Sequence, residues 1–105
     1  MSETLLPLGS VVYLEEGILP LMIVARQPIL NLNDEEFYLD YTGVSHLTGL
    51  DKDKMAYFNH EDIREVVFKG YAGEYEEEVL TALAEWRQTN SQIPKGRVEK
   101  KANEN

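Results

Sequence analysis

Residues 57–71, Tyr-Phe-Asn-His-Glu-Asp-Ile-Arg-Glu-Val-Val-Phe-Lys-Gly-Tyr, decide the fold. Tyr57 and Phe58 close a strand that begins at Met55. Asn59 is a good N-cap, because its side-chain oxygen can accept from the free N–H groups of a helical first turn, and Asp62 can reach back to the Asn59 N–H as the other half of a capping box. Glu61 is also favourable near the positive end of a helix. The turn is short: Val66, Val67 and Phe68 are β-branched and aromatic and start a new strand, and Gly70 lets the chain turn again. A strand end, a capped turn, a strand and a glycine in so short a stretch define a compact soluble α+β domain. None of its polar groups has catalytic spacing.

Outward from this stretch the same alternation of strands and turns continues. Pro7 and Gly9 make an extended segment and a turn, and Ser10 to Leu14 is a strand ended by Glu15-Glu16-Gly17. Leu21 to Gln27 is apolar until Arg26, the pattern of a central strand, and Pro28 closes it because it cannot donate to a ladder. Residues 31–36 form a polar hairpin loop. Phe37 to Tyr41 alternates Phe37, Leu39 and Tyr41 on one face with Tyr38 and Asp40 on the other. Thr42 to Asp53 reads as an irregular loop, near the length at which loops are functional or mobile. On the C-terminal side, Glu74 to Thr89 is a helix in which Tyr75, Val79, Ala82, Leu83 and Trp86 form one apolar stripe. The expected fold is α+β: five short antiparallel strands in a strongly bent sheet or small SH3-like barrel, packed by one C-terminal amphipathic helix. A single domain is expected over residues 1–92, with a disordered basic tail over 93–105.

Composition limits the function. The chain has 105 residues, 43% of them hydrophobic and 28% charged, and no cysteine, which removes disulfides, thiolate metal sites and cysteine nucleophiles together. The net charge is −9; residues 1–94 hold 17 acidic and 6 basic side chains, so the body repels phosphate backbones and nucleic acid is not an expected partner. The longest apolar run, Ile18 to Ala25, contains Pro20 and is too short for a bilayer, so no membrane insertion is expected. The N-terminus lacks the basic and apolar parts of a signal peptide.

The candidate chemistry is sparse. His60 beside Glu61 and Asp62 could hold a metal, but adjacent residues point in different directions, and capping accounts for them better. His46 has no near partner in sequence, and a zinc site with His60 would need at least one carboxylate, such as Asp40, to converge in space. Gly9-Ser10 is not a nucleophile elbow, and no glycine-rich loop precedes a helix, so neither a hydrolase nor a nucleotide site is expected. Tyr57 and Glu61 match Y-x-x-x-[DE], an export-signal pattern, but the match spans a strand end and a cap rather than following a helical hairpin. The chain reads as non-enzymatic, without cofactor or metal. The excess is aromatic: six tyrosines, three phenylalanines and one tryptophan share a small core. Tyr38, Tyr41, Tyr57 and Tyr71 are therefore candidates for the surface, where tyrosine favours protein interfaces.

Four segments together resemble a known family: L-P-L-G-S-V-V-Y-L (6–14), L-M-I-V-A-R (21–26), D-Y-T-G-V (40–44) and F-N-H-E-D-I-R-E-V-V-F-K-G-Y (58–71). They look like the small proteins called domain of unknown function 4176 of Gram-positive bacteria. After the D-Y-x-G strand this chain has His46-Leu47-Thr48-Gly49, keeping only the glycine of that family's aromatic-Pro-acid-Gly stretch. The resemblance implies a cytoplasmic accessory of type VII secretion that binds the helical N-terminal region of an LXG toxin, together with a small WXG-like helical protein, and promotes the toxin's export. The partner-binding residues expected for such an adaptor are Tyr38, Asp40, Tyr41, His46, Tyr57, His60 and Tyr71. Two other functions stay open at this point: an immunity protein that neutralises the toxin's C-terminal domain, and a small-molecule or enzymatic domain with a polar pocket near Asp40, His46 and His60.

Overall fold

The computed structural model describes residues 4–97. Its main element is a five-stranded antiparallel sheet built from β1 (Val11–Leu14), β2 (Leu21–Arg26), β5 (Tyr41–Ser45), β6 (Ala56–Phe58) and β7 (Ile63–Phe68), in the order β6-β5-β2-β1-β7. A separate hairpin joins β3 (Ile29–Leu32) to β4 (Glu35–Tyr38), a single 3-10 turn spans His60–Asp62, and helix α1 runs Glu76–Thr89. The α+β class and the all-antiparallel sheet are as expected, with β2 in the centre. β7 meets β1 with two register shifts, each placing an extra residue on β7. Such bulges bend and twist a strand, so this edge of the sheet is irregular.

The described residues form seven strands where five were expected, and three of them, β3, β4 and β5, differ from the sequence expectation. Residues 31–36 are not a loop, because Asn33 and Asp34 both take positive φ, 55° and 67°. That pair forms a two-residue turn whose twist matches the flanking strands, so β3 and β4 reach all the way to it. The segment Phe37 to Tyr41 is not one strand. β4 ends at Tyr38, Leu39 and Asp40 link, and Tyr41 opens β5. β5 occupies the first part of the expected Thr42 to Asp53 loop, and Tyr41, Thr42, Gly43 and Val44 are all buried. A side chain at Gly43 would press on the Phe58 ring, so a residue type that weakens strands in general is what lets β6 close over β5 here.

The core is Leu5, Val12, Ile23, Tyr41 and Phe58, with Leu6, Leu14, Leu21, Ala56, Ile63, Leu80 and Leu83 packed against it. Tyr41 and Phe58 stack with ring centroids 5.4 Å apart. Ser10 ties the N-terminal turn to the end of β7: its fully buried hydroxyl donates to the Pro7 carbonyl at 2.8 Å and accepts from the Gly70 N–H at 2.9 Å. Gly70 is required there, since a Cβ would collide with the Leu8 carbonyl oxygen.

Helix α1 faces the sheet with only part of the expected stripe, Leu83 and Trp86. Leu80 and Leu83 reach the core, Gln27 donates to the Leu83 carbonyl at 3.2 Å, and Arg87 donates to the Gln27 side-chain oxygen. Tyr75 and Val79 are exposed, as is Ala82. At about 100° per residue the buried face is thus rotated by about a quarter turn from the Tyr75–Val79–Ala82 line. Glu76, on the same side of the helix, pairs with Arg26 of β2.

Residues 93–97 belong to the fold rather than to a disordered tail. Tyr38 donates to the Pro94 carbonyl at 3.0 Å and Gly96 donates to the Tyr38 carbonyl at 2.7 Å, so residues 94–96 lie beside β4 as a short strap. A Cβ at Gly96 would clash with the Phe37 ring. The remainder of the expected tail, 98–105, lies outside the described residues.

Candidate partner-binding surface

Three of the seven residues singled out from sequence, Asp40, Tyr41 and His60, meet at one polar cluster. The Asp40 carboxylate accepts from the His60 N–H at 2.9 Å and meets Lys95 Nζ at 3.3 Å, and Asp40 is only 6% exposed. Asn59 bridges this cluster to the strap: its Oδ1 accepts from the Asp40 N–H at 3.0 Å and its Nδ2 donates to the Gly96 carbonyl at 2.9 Å. Asp62 accepts from the Asn59 N–H at 2.9 Å, the return half of the expected capping box. Burial alone would lower the Lys95 pKa, but the charges and hydrogen bonds of Asp40 and Glu61 outweigh it and hold it above the usual lysine value. The arrangement is a latch that joins the end of β4, the 3-10 turn and the C-terminal strap.

Tyr41 is a correction. It is not a surface tyrosine: it is fully buried, and its hydroxyl accepts from the Leu6 N–H at 2.8 Å and lies 2.7 Å from His60 Nδ1. The ring is a core piece and the hydroxyl anchors the N-terminal segment. Tyr38 is half-buried and meets Trp86 edge to face at 5.6 Å, while Tyr57 is half-buried on β6 opposite Thr42. His46 is exposed beyond the end of β5, its N–H donating to the Pro20 carbonyl at 3.0 Å. At about 3.3 Å per strand residue it stands roughly 16 Å from Tyr41, which contacts His60, so the two histidines do not share a site. Among the described residues no group of three or more His, Asp or Glu side chains is placed to hold a metal ion.

Tyr71 lies elsewhere, in a groove of about 390 Å³ between the N-terminal turn, the β7–α1 connection and the first turns of α1. Its apolar walls are Leu8, Tyr71, Tyr75 and Val79, which are 49, 87, 66 and 37% exposed. Arg26 and Glu76 line its floor as an ion pair of 2.8 Å, with a second hydrogen bond of 3.3 Å, and Arg26 also donates to the Leu6 carbonyl at 3.3 Å. The hydrogen bond from Arg26 holds the Glu76 carboxyl below the usual carboxylate range; partial desolvation opposes it, and the charges of Arg26 and Lys69 reinforce it. Val66, Val67 and Phe68 on the β7 edge form a second exposed apolar set.

A small antiparallel sheet carrying one C-terminal helix defines the class, an α+β domain with an open apolar groove on its surface. The family model described as Domain of unknown function (DUF4176) matches residues 5–79, and the chain belongs to that family. The match takes in every strand and ends in the first turn of α1, so it covers Tyr71, Tyr75 and Val79 but not the strap. No curated protein and no solved structure matches the chain. Among the described residues no helix is long and apolar enough to cross a membrane.

Leu8, Tyr75 and Val79 were not marked as surface residues by the sequence. No local pattern marks them: Glu76 pairs with Arg26, 50 residues away, and Tyr75 and Val79 are left on the helix flank.

Proposed function

We propose that the protein is a non-enzymatic adaptor of the type VII secretion system that binds the helical N-terminal region of an LXG toxin and promotes its export. The partner set is the toxin region and a small WXG-like helical protein, and the place of action is the cytoplasm. What supports the reading is the groove with Tyr71, Tyr75, Val79 and Leu8 exposed around it: four large apolar side chains held open on one face are the anatomy of a protein interface rather than of a solvated one. The family match is compatible with it, and the toxin association comes from the resemblance of the motifs.

Coexpression with the toxin region and the helical partner tests the proposal. The three chains are expected to copurify, and removing the toxin's C-terminal domain is expected to leave the complex intact. Failure to copurify with both partners present sinks the adaptor. Binding that survives only in toxin fragments retaining the C-terminal domain identifies an immunity protein instead.

A further inference from the structure

We infer that the groove is the docking site for a basic amphipathic helix, which sets its apolar ridge on Leu8, Tyr71, Tyr75 and Val79 and its lysines or arginines against the glutamates of α1. The identity of the natural partner rests on the adaptor proposal; the chemistry of the site does not. From Gly70 to Trp86 the chain carries five glutamates and no lysine or arginine. Arg26 neutralises Glu76 on the groove floor. Glu74 lines the rim and is exposed, and Glu78 and Glu85, also exposed, follow the outer side of the Tyr75–Val79–Ala82 flank at helical spacing. Apolar walls over an ion-paired floor, bordered on one side by glutamates that have no ion-pair partner among the described residues, are complementary to a helix with apolar anchors three and four residues apart and basic residues beside them.

The competing occupants fit less well. An added strand needs a free ladder edge, whereas one wall of the groove is a helix with its backbone bonds made internally. The β7 edge does offer a ladder, but its two bulges break the regular spacing that strand addition requires. A second copy of this chain would bring glutamates against glutamates, since the outer side of α1, the one helix of more than a single turn among the described residues, carries Glu77, Glu78 and Glu85.

The test uses the full chain, isotopically labelled, titrated with two designed helical peptides that share one leucine ridge, one flanked by lysines and one by glutamates. The lysine peptide is expected to shift the methyl resonances of Leu8, Val79 and Ala82, with an affinity that falls as salt rises. The double variant Glu74→Lys, Glu78→Lys is expected to weaken it by roughly tenfold or more. Both positions are exposed, and circular dichroism verifies the fold of the variant. Equal binding of the glutamate peptide, or shifts confined to β7, overturns the inference. The coexpressed toxin region forms the second arm. If it binds and is released by Val67→Lys but not by Tyr71→Ser or the double variant, the groove is wrong and the adaptor stands. If it fails to bind while the lysine peptide maps to the groove, the adaptor falls and the groove stands.

Discussion

The Asp40 latch and the Tyr71 groove use their side chains in opposite ways. In the latch, Asp40, Asn59 and His60 are occupied with one another, with Tyr41 and with the strap. In the groove, the one ion pair is internal and the apolar side chains around it face outward. The polar residues that look functional in sequence are consumed by folding, because buried polar groups must find partners. Tyr75 and Val79, which look like core in sequence, are left open, since the helix presents Leu80, Leu83 and the Arg26-paired Glu76 to the sheet.

Substitutions separate the two regions by size of effect. Asn59→Ala leaves the Asp40 N–H and the Gly96 carbonyl without their partner, and is expected to cost about 2–4 kcal/mol in urea unfolding. Glu76→Gln is expected to cost roughly 1–2 kcal/mol at neutral pH, because it removes the charge from a partly buried hydrogen-bonded pair. Its pH dependence has a definite sign. The Glu76 pKa is lowered in the folded state, so the stabilisation is fully present above 4.5 and is lost as pH falls through the lower folded-state value. Unfolding measured across that acid range should therefore show wild type and Glu76→Gln converging as pH drops.

Lys95→Ala is expected to cost less, about 0.5–1 kcal/mol, since the lysine is partly solvated. Its sharper signature is local: hydrogen exchange at the Tyr38 and Gly96 amides, which hold the strap, should accelerate while core amides stay protected. Tyr71→Ala is expected to change stability by no more than about 0.5 kcal/mol, because the ring is almost wholly exposed. A large loss at Tyr71 would erase the contrast and make the groove part of the core.

Particular residues show how far the sequence could be read. Asn59 with Asp62 and the strands on either side were legible, because capping and β-branched runs act locally. The central place of β2 was legible from its continuous apolar run. β5 was not, because Gly43 interrupts the strand-forming Tyr41, Thr42 and Val44, and the strand is closed by Phe58 packing over Gly43, a contact between distant segments. The turn at Asn33-Asp34 carried a usable signal in two residues tolerant of positive φ. The strap and the rotation of α1 involve pairs 50 or more residues apart, Arg26 with Glu76 and Tyr38 with Pro94 and Gly96, and no local pattern encodes them. The candidate site followed the same rule: Tyr71 was found from its residue type, whereas its companions Leu8, Tyr75 and Val79 emerge only once the helix is placed.

The central claim is that the groove, and not the latch, receives the partner. The affinity of the proposed partner, the helical region of an LXG toxin, for the Glu74→Lys, Glu78→Lys chain, measured beside that for Lys95→Ala, tests it most directly. The account predicts a loss of roughly tenfold or more for the groove variant and a change within about twofold for the latch variant. The reverse order, with Lys95→Ala losing the partner and the groove variant keeping it, would contradict it.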